Sequence, residues 1–378
     1  MKKIKILQFP IANSKGGITQ YILQNWKYID KEKFQFDFAT MSKRLDFSDA
    51  LESEGCKIHY ISCYAEDNRE KFIEEFRKIL LEGNYNIVHL HTKQWKSFLV
   101  EQIAKEVGVR KIIVHAHNTG VDTLDEQKRK KEIQLHNRVL DQLNMEIATD
   151  FWSCSEKAAE FIFKDKIPRS KIIIMKNAID ISKFKYNLKI RNEYREKFGV
   201  KDAYVIGNVG RFVYQKNQEF LLEVFSELCK EHTIQSKNCK LLLVGSGERE
   251  KEYKSITKEK GLEGKVIFTG ERKDVEKLLQ AMDLFCFPSR FEGLAISLIE
   301  AQTSGLKCIC SDTISNEVKI TENIKLVPLQ TRLWVNEILK MVNLVEKYKR
   351  NDMNQIVTKA GYNILSQIKI VEQYYQLI

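Results

Sequence analysis

Short runs of β-branched and other apolar residues alternate with amphipathic segments along the whole chain, the pattern of parallel α/β architecture. In the first half it predicts strands from Ile4 to Phe9, Phe34 to Ala39, Lys57 to Ser62, Ile87 to His91, Lys111 to His115 and Phe151 to Ser153. Helices are predicted between them. One follows Gly16-Gly17, with Ile18, Tyr21, Ile22 and Trp26 at helical spacing, and another runs from about Arg69 to Leu81 with Phe72, Phe76, Ile79 and Leu80 on one face. The series then restarts, with strands predicted from Tyr204 to Val209, Lys240 to Val244, Lys265 to Phe268, Leu284 to Phe287, Lys307 to Cys310 and Ile324 to Val327. A single sheet of that width would split or curl, so the pattern favours two doubly wound units with a seam near Asn177-Ala178-Ile179-Asp180. The expected division is 1–180, 181–356 and a terminal helical stretch over 357–378.

Composition narrows the class. Of 378 residues, 43% are hydrophobic and 30% charged, which suits a globular protein. The longest apolar runs, such as Lys111-Ile112-Ile113-Val114, are far shorter than the roughly 20 residues of a membrane-spanning helix. The opening MKKIKILQFP starts like a signal peptide, but Lys5 and Gln8 interrupt it, and it reads better as a buried first strand. The eight cysteines are scattered and never form Cys-x-x-Cys, which suggests reduced thiols in a cytoplasmic setting. A net charge of +11, spread over both halves, favours anionic partners. The run Lys128-Arg129-Lys130-Lys131 reads as a solvated helix face or as a contact with anionic lipid. No nucleic-acid module is recognisable.

Doubly wound sheets bind ligands at the carboxyl ends of their strands. After the first strand of the second unit comes Gly210-Arg211-Phe212-Val213-Tyr214-Gln215-Lys216-Asn217, where Arg211 and Lys216 can converge on one anion, a diphosphate being the natural ligand. Val244-Gly245-Ser246-Gly247 ends the next strand, suiting a nucleotide or a plain turn. Thr269-Gly270-Glu271-Arg272 follows the third. The stretch Ser289-Arg290-Phe291-Glu292-Gly293-Leu294-Ala295-Ile296 leads into a helix predicted from Ile296 to Thr303, with Glu292 before it and Glu300 inside it. The helix start offers the amides of Ala295, Ile296 and Ser297 to phosphate oxygens. Phosphate and two carboxylates would repel at one point, so they must serve different ends of an elongated ligand. A nucleotide diphospho-sugar satisfies this, with hydroxyls donating to the carboxylates.

At this point the chain resembles glycosyltransferase family 4, retaining nucleotide-sugar transferases of GT-B fold, and more narrowly the bacterial transferases of capsular and exopolysaccharide synthesis. Glu292-x7-Glu300 carries the resemblance, with Gly210-Arg211, Lys216-Asn217, Val244-Gly245-Ser246-Gly247, Ala281-Met282-Asp283, Pro288-Ser289 and Asn177-Ala178-Ile179-Asp180 in matching order. It implies two Rossmann-like domains facing across a cleft, the second holding the donor, and a last helix returning to the first. It implies that Arg211 and Lys216 bind the diphosphate, that Glu292 faces the transferred sugar, and that Glu300 accepts from the ribose. Donor contacts are also expected at Gly17, Arg272, Leu294, Ala295 and Ile296, and the active-site histidine maps to His117 in His115-Ala116-His117. Leu294 and Ala295 replace the usual Phe-Gly, and Ala178 stands where Gly is usual.

His89-Leu90-His91 with His115-Ala116-His117 offers four imidazoles to a metal, but strand-end hydrogen bonding is the plainer reading of the first three. No Asp-x-Asp occurs to clamp a divalent ion, so neither metal nor cofactor is expected beyond the nucleotide-sugar co-substrate, with uridine the family's most frequent nucleotide. The expected acceptor is a saccharide, lipid-linked and presented at an anionic inner membrane surface against residues 118–142, the enzyme being cytoplasmic or peripheral. Competing readings are a GT-B nucleotide-sugar epimerase, a non-catalytic GT-B partner subunit and a glycoside hydrolase using the two glutamates.

Overall fold

The computed structural model describes residues 3–13, 16–231, 234, 238–344 and 349–377. The chain divides into two units. One takes in the chain to Val121, Gln127–Ala178 and the stretch from Ile364; the other takes in Asp122–Glu126 and Ile179–Asn363.

The first unit is built on seven parallel strands: β1 (Ile4–Phe9), β2 (Phe34–Thr40), β3 (Ile58–Tyr60), β4 (Ile87–Thr92), β5 (Lys111–Ala116), β6 (Asp150–Ser153) and β7 (Ile172–Ile174). They lie in the order β3-β2-β1-β4-β5-β6-β7. The order in which strands are added reverses between β1 and β4, the switch point at which loops diverge. The seventh strand goes beyond the sequence expectation. It pairs Phe151 with Ile172 and Ser153 with Ile174. The terminal helix Ile364–Gln376 buries Ile368, Val371 and Tyr375 in the same core as Ile6, Tyr21, Phe36 and Trp152. Each fully buried side chain of that size contributes about 1.5–3 kcal/mol, enough to hold the helix on the sheet. The crossing back falls later than residue 357. Ile179 N donates to Tyr362 O at 2.9 Å and Val357 is buried, so residues 357–363 stay with the second unit.

The second unit has six parallel strands: β8 (Tyr204–Val209), β9 (Cys239–Val244), β10 (Val266–Phe268), β11 (Leu284–Phe287), β12 (Lys307–Ser311) and β13 (Ile324–Val327). Their order is β10-β9-β8-β11-β12-β13, with the switch between β8 and β11. Leu241, Leu243, Leu284, Cys286 and Ile309 come from neighbouring strands and pack with Leu222, Phe225 and Trp334. Asp283, just before β11, anchors the entry to the unit. Its carboxylate accepts from Val205 N at 2.8 Å and Arg195 Nη1 at 2.9 Å, and also from Arg191. All eight cysteines are free thiols. Among the described residues no helix is long and apolar enough to cross a membrane.

Candidate active site

In the second unit the loops after β8 and β11 leave the sheet on either side of its switch point, so adjacent strands deliver them side by side. Three hydrogen bonds tie them together. Arg290 N donates to Gln215 O at 2.8 Å, Gln215 Nε2 to Phe291 O at 2.9 Å, and Asn217 Nδ2 to Pro288 O at 3.1 Å. Asn217 has φ 56°, a left-handed conformation that asparagine tolerates better than most residues, and from it the helix Gln218–Leu228 starts. The result brings Lys216 Nζ to 2.7 Å from Glu292 Oε1, with the two side chains 16% and 7% exposed. The Lys216 ammonium also lies 4.9 Å over the Phe287 ring. Sequence reasoning found Lys216 and Glu292 but missed Gln215, the residue that holds their loops together; a polar residue inside a cation-bearing loop was its only signal.

Arg211 is 43% exposed, and its Nη2 stands 3.5 Å from Asp122 Oδ2, while Gln215 N donates to Asp122 Oδ1 at 3.0 Å. An acidic side chain thus already meets a cation and an amide of this loop. Asp122 belongs to the second unit although it comes from the first half of the sequence.

The glycines of the β9 loop serve packing. A Cβ on Gly245 would stand 2.1 Å from Gly210 O, and one on Gly247 would stand 2.4 Å from Phe212 O. Gly210 N donates to Val244 O at 3.0 Å and Phe212 N to Ser246 O at 2.8 Å. The chain segment that carries Arg211 therefore lies directly on these glycines, and any side chain there would displace it. After β10, Gly270 O accepts from Gly245 N at 3.0 Å. Arg272 directs Nε and Nη2 to the two oxygens of Asp274 at 2.8 and 2.7 Å, a bidentate pair.

The helix Ile296–Thr303 starts from Ala295 at φ −81°, which needs no glycine. Leu294 and Ala295 are both buried. Ile296 N donates to Leu294 O at 3.1 Å, which corrects the expectation that all three first-turn amides are open. For Ala295 and Ser297 no such internal acceptor is found among the described residues. Glu300 sits one helical turn in. Burial and then the charge of Glu276 push its carboxyl up to about 8.

In the first unit, Gly17 opens the helix Gly17–Tyr28; Ser14 and Lys15, which precede it, lie outside the described residues. The histidines form one face of the sheet. Register places Gln8 beside His89 and His91 beside His115, and the rings are covered by Tyr21, Trp152 and Tyr375. His91 Nδ1 lies 2.9 Å from His117 Nε2, and His89 Nε2 lies 3.1 Å from His115 Nδ1. Nitrogens of His89, His91 and His115 all fall within 4.8 Å of one another. Their short contacts are accounted for as hydrogen bonds. Burial lowers all four imidazoles, His117 to about 3 with the Lys93 charge adding, so each is neutral.

Two parallel doubly wound units, with a cation–carboxylate pair seated at the switch point of the second, define a glycosyltransferase of GT-B type. The pattern described as "Glycosyl transferases group 1" matches residues 190–355 and that described as "Glycosyl transferase 4-like domain" matches residues 16–178. The chain belongs to this glycosyltransferase family. It is 27% identical to "Putative glycosyltransferase EpsF" of Bacillus subtilis, over 99% of this chain and 96% of that protein. It is 24% identical to the "UDP-Gal:alpha-D-GlcNAc-diphosphoundecaprenol alpha-1,3-galactosyltransferase" of Escherichia coli, over 99% and 97%. Among solved structures, Anabaena HepE in complex with UDP and glucose shares the fold, with TM-score 0.78 and 17% identity over 99% of this chain and 100% of that one.

Proposed function

We propose that the protein transfers a sugar, with retention of configuration, from a nucleotide diphosphate sugar to a hydroxyl of a saccharide acceptor. The single observation that carries this reading is the Lys216–Glu292 contact of 2.7 Å across two loops locked at a switch point. A cation for phosphate and a carboxylate for carbohydrate are there a hydrogen bond apart, the distance between the diphosphate and the sugar of one donor. Arg211, Lys216 and the amides of Ala295 and Ser297 stabilise the charge that accumulates on the diphosphate as the anomeric bond breaks. This set substitutes for a metal clamp, in keeping with the lack of Asp-x-Asp in the sequence. Glu292 orients the sugar. Glu300, half-buried on its helix, accepts from ribose hydroxyls, and Gly17, Leu294 and Ile296 line the donor through their backbone. With its guanidinium committed to Asp274, Arg272 serves through its main chain. His117 is the active-site histidine and accepts from a ligand hydroxyl through its Nδ1, which has no hydrogen-bond partner among the described residues.

Uridine is the proposed nucleotide, because both HepE and the Escherichia coli relative carry UDP or UDP-galactose in their descriptions. A lipid-linked acceptor follows the same relative, and a role in surface polysaccharide synthesis follows the "Capsular polysaccharide biosynthesis glycosyltransferase CapH" of Staphylococcus aureus, 27% identical over 93% of this chain and 94% of that protein. The helix Glu126–Leu140 supports docking on an anionic membrane, since Ile133 and Leu135 are exposed beside its Lys and Arg residues. A thermal-shift panel of nucleotides and nucleotide sugars tests the donor, since a ligand held only by the folded state raises its stability. UDP-sugars should stabilise the protein, and incubation with donor alone should yield no epimer. If no nucleotide diphosphate sugar stabilised it, the reading would fail.

A further inference from the structure

The histidines are linked into one hydrogen-bonded chain whose sense can be worked out. Gln8 Oε1 lies 2.8 Å from His91 Nε2, and an amide oxygen only accepts, so His91 carries its proton on Nε2. A neutral imidazole has one donor and one acceptor nitrogen, so His91 Nδ1 accepts. His117 Nε2, 2.9 Å away, must therefore be the donor. That leaves Nδ1 of His117 unprotonated, and this atom is buried without a partner among the described residues. Further back, Gln8 Nε2 donates to Tyr375 Oη at 3.2 Å, and Tyr375 Oη lies 2.7 Å from His89 Nδ1, so the terminal helix completes the hydrogen bonding of the amide in the orientation from which the sense follows. The opposite sense would bury an N–H on His117 with no acceptor among the described residues. Orphaned buried N–H groups are rarer than bare acceptors.

We infer that Gln8 and His91 are positioning residues that fix His117 as the Nε2–H tautomer and present its Nδ1 as an uncharged acceptor for a ligand O–H group. This rests on the reading in which His117 meets the substrate, and it adds a selectivity that reading lacks. Such a site accepts a hydroxyl, and rejects a deoxy analogue because the buried lone pair would stay unpaired.

The test uses the full-length chain with 15N-labelled histidine. Long-range 15N–1H correlation should show His117 protonated at Nε2 and bare at Nδ1. His91→Phe removes the acceptor, so a share of His117 should gain a proton at Nδ1 and kcat should fall about tenfold, the value of one lost hydrogen bond. His91→Asn restores an acceptor near the Nδ1 position and should recover most of both readouts. In a His117→Ala background, His91→Phe should cause no further loss of turnover. If His91→Phe does not fold, Gln8→Met removes the amide oxygen one link back and should shift the same His117 signals. The inference is overturned if wild-type His117 is protonated at Nδ1, if His91→Phe costs as much without His117, or if the purified protein holds stoichiometric zinc. Full turnover in His117→Ala would instead remove His117 from the active site, while the nitrogen shifts still decide the tautomer.

Discussion

Replacing Lys216 with methionine keeps the stem of the side chain and deletes its charge, leaving Glu292 buried opposite nothing. Removing one partner of a buried pair costs about 3–5 kcal/mol. Here a ceiling applies, because an unpaired carboxylate can always take up a proton. From the ordinary carboxylate value of about 4.3, neutralisation costs about 1.36 kcal/mol per pH unit, so about 3.7 kcal/mol at pH 7 and about 1 kcal/mol at pH 5. Lys216 keeps 16% of its side chain exposed, which favours the low end, about 3 kcal/mol at pH 7. At about 2–4 °C per kcal/mol for a unit of this size, Lys216→Met should lower the Tm of the second unit by about 6–12 °C at pH 7 and about 2–4 °C at pH 5. The loss is a charge penalty, so Lys216→Met with Glu292→Gln should recover most of it at pH 7. Scanning calorimetry at both pH values decides the matter. Equal losses at pH 7 and pH 5, or no recovery in the double variant, would show that Lys216 acts by packing on Phe287 and not through Glu292.

Glu300→Gln should flatten the stability profile of the second unit. Burial holds the Glu300 proton up to about 8, so between about 4.3 and 8 the folded state binds a proton that the unfolded chain has released, and stability falls as pH rises through that window. Thermal melts from pH 5 to 8 should show a smaller decline in the variant, together with weaker UDP binding. Asp283→Asn leaves Arg191 and Arg195 without their carboxylate and should cost about 3 kcal/mol, read by urea unfolding of the second unit. Lys130→Glu with Lys131→Glu should weaken flotation with anionic vesicles at least about thirtyfold at low salt, since two cations at about 1 kcal/mol each near the surface are lost; unchanged flotation would remove that helix from the membrane contact.

Most strands were legible because a strand buried on both faces is a short apolar run, and the chain repeats such runs at regular spacing. The edge strand Ile172–Ile174 is not among the predicted strands, since three residues carry no periodicity of their own. In the site, charge marked Arg211, Lys216, Glu292 and Glu300. The residues that position them were less visible. Gln215 and Asn217 act through main-chain carbonyls of a loop some 70 positions away, a pairing that spacing cannot show. Paired imidazoles were apparent on each strand, but the chain Gln8–His91–His117 depends on β1, β4 and β5 lying adjacent, and its anchor Tyr375 comes from the far end of the sequence. The Gly245 and Gly247 pair is a case the sequence left open between a nucleotide and a plain turn. Their neighbour is the protein's own backbone, a role that leaves the same glycine signature as a nucleotide.

The Lys216–Glu292 pair has a consequence for the order of ligand contacts. Without donor, each compensates the other. On the proposed reading a diphosphate takes Lys216, and Glu292 then needs new donors, which only the sugar hydroxyls supply. A nucleotide diphosphate lacking its sugar would leave Glu292 in the unpaired state that destabilises Lys216→Met. A nucleotide diphosphate sugar should therefore bind more tightly than the nucleotide alone, by at least about tenfold given about 1.5–3 kcal/mol for hydrogen bonds to a charged group. Glu292→Gln, which needs no counter-charge, should shrink that ratio mainly by binding the bare nucleotide better. Calorimetric titration of UDP and a UDP-sugar into both proteins measures it. If UDP binds the wild type as tightly as its sugar conjugate and the ratio is unmoved by the substitution, Glu292 does not exchange Lys216 for carbohydrate, and its link to the transferred sugar is lost.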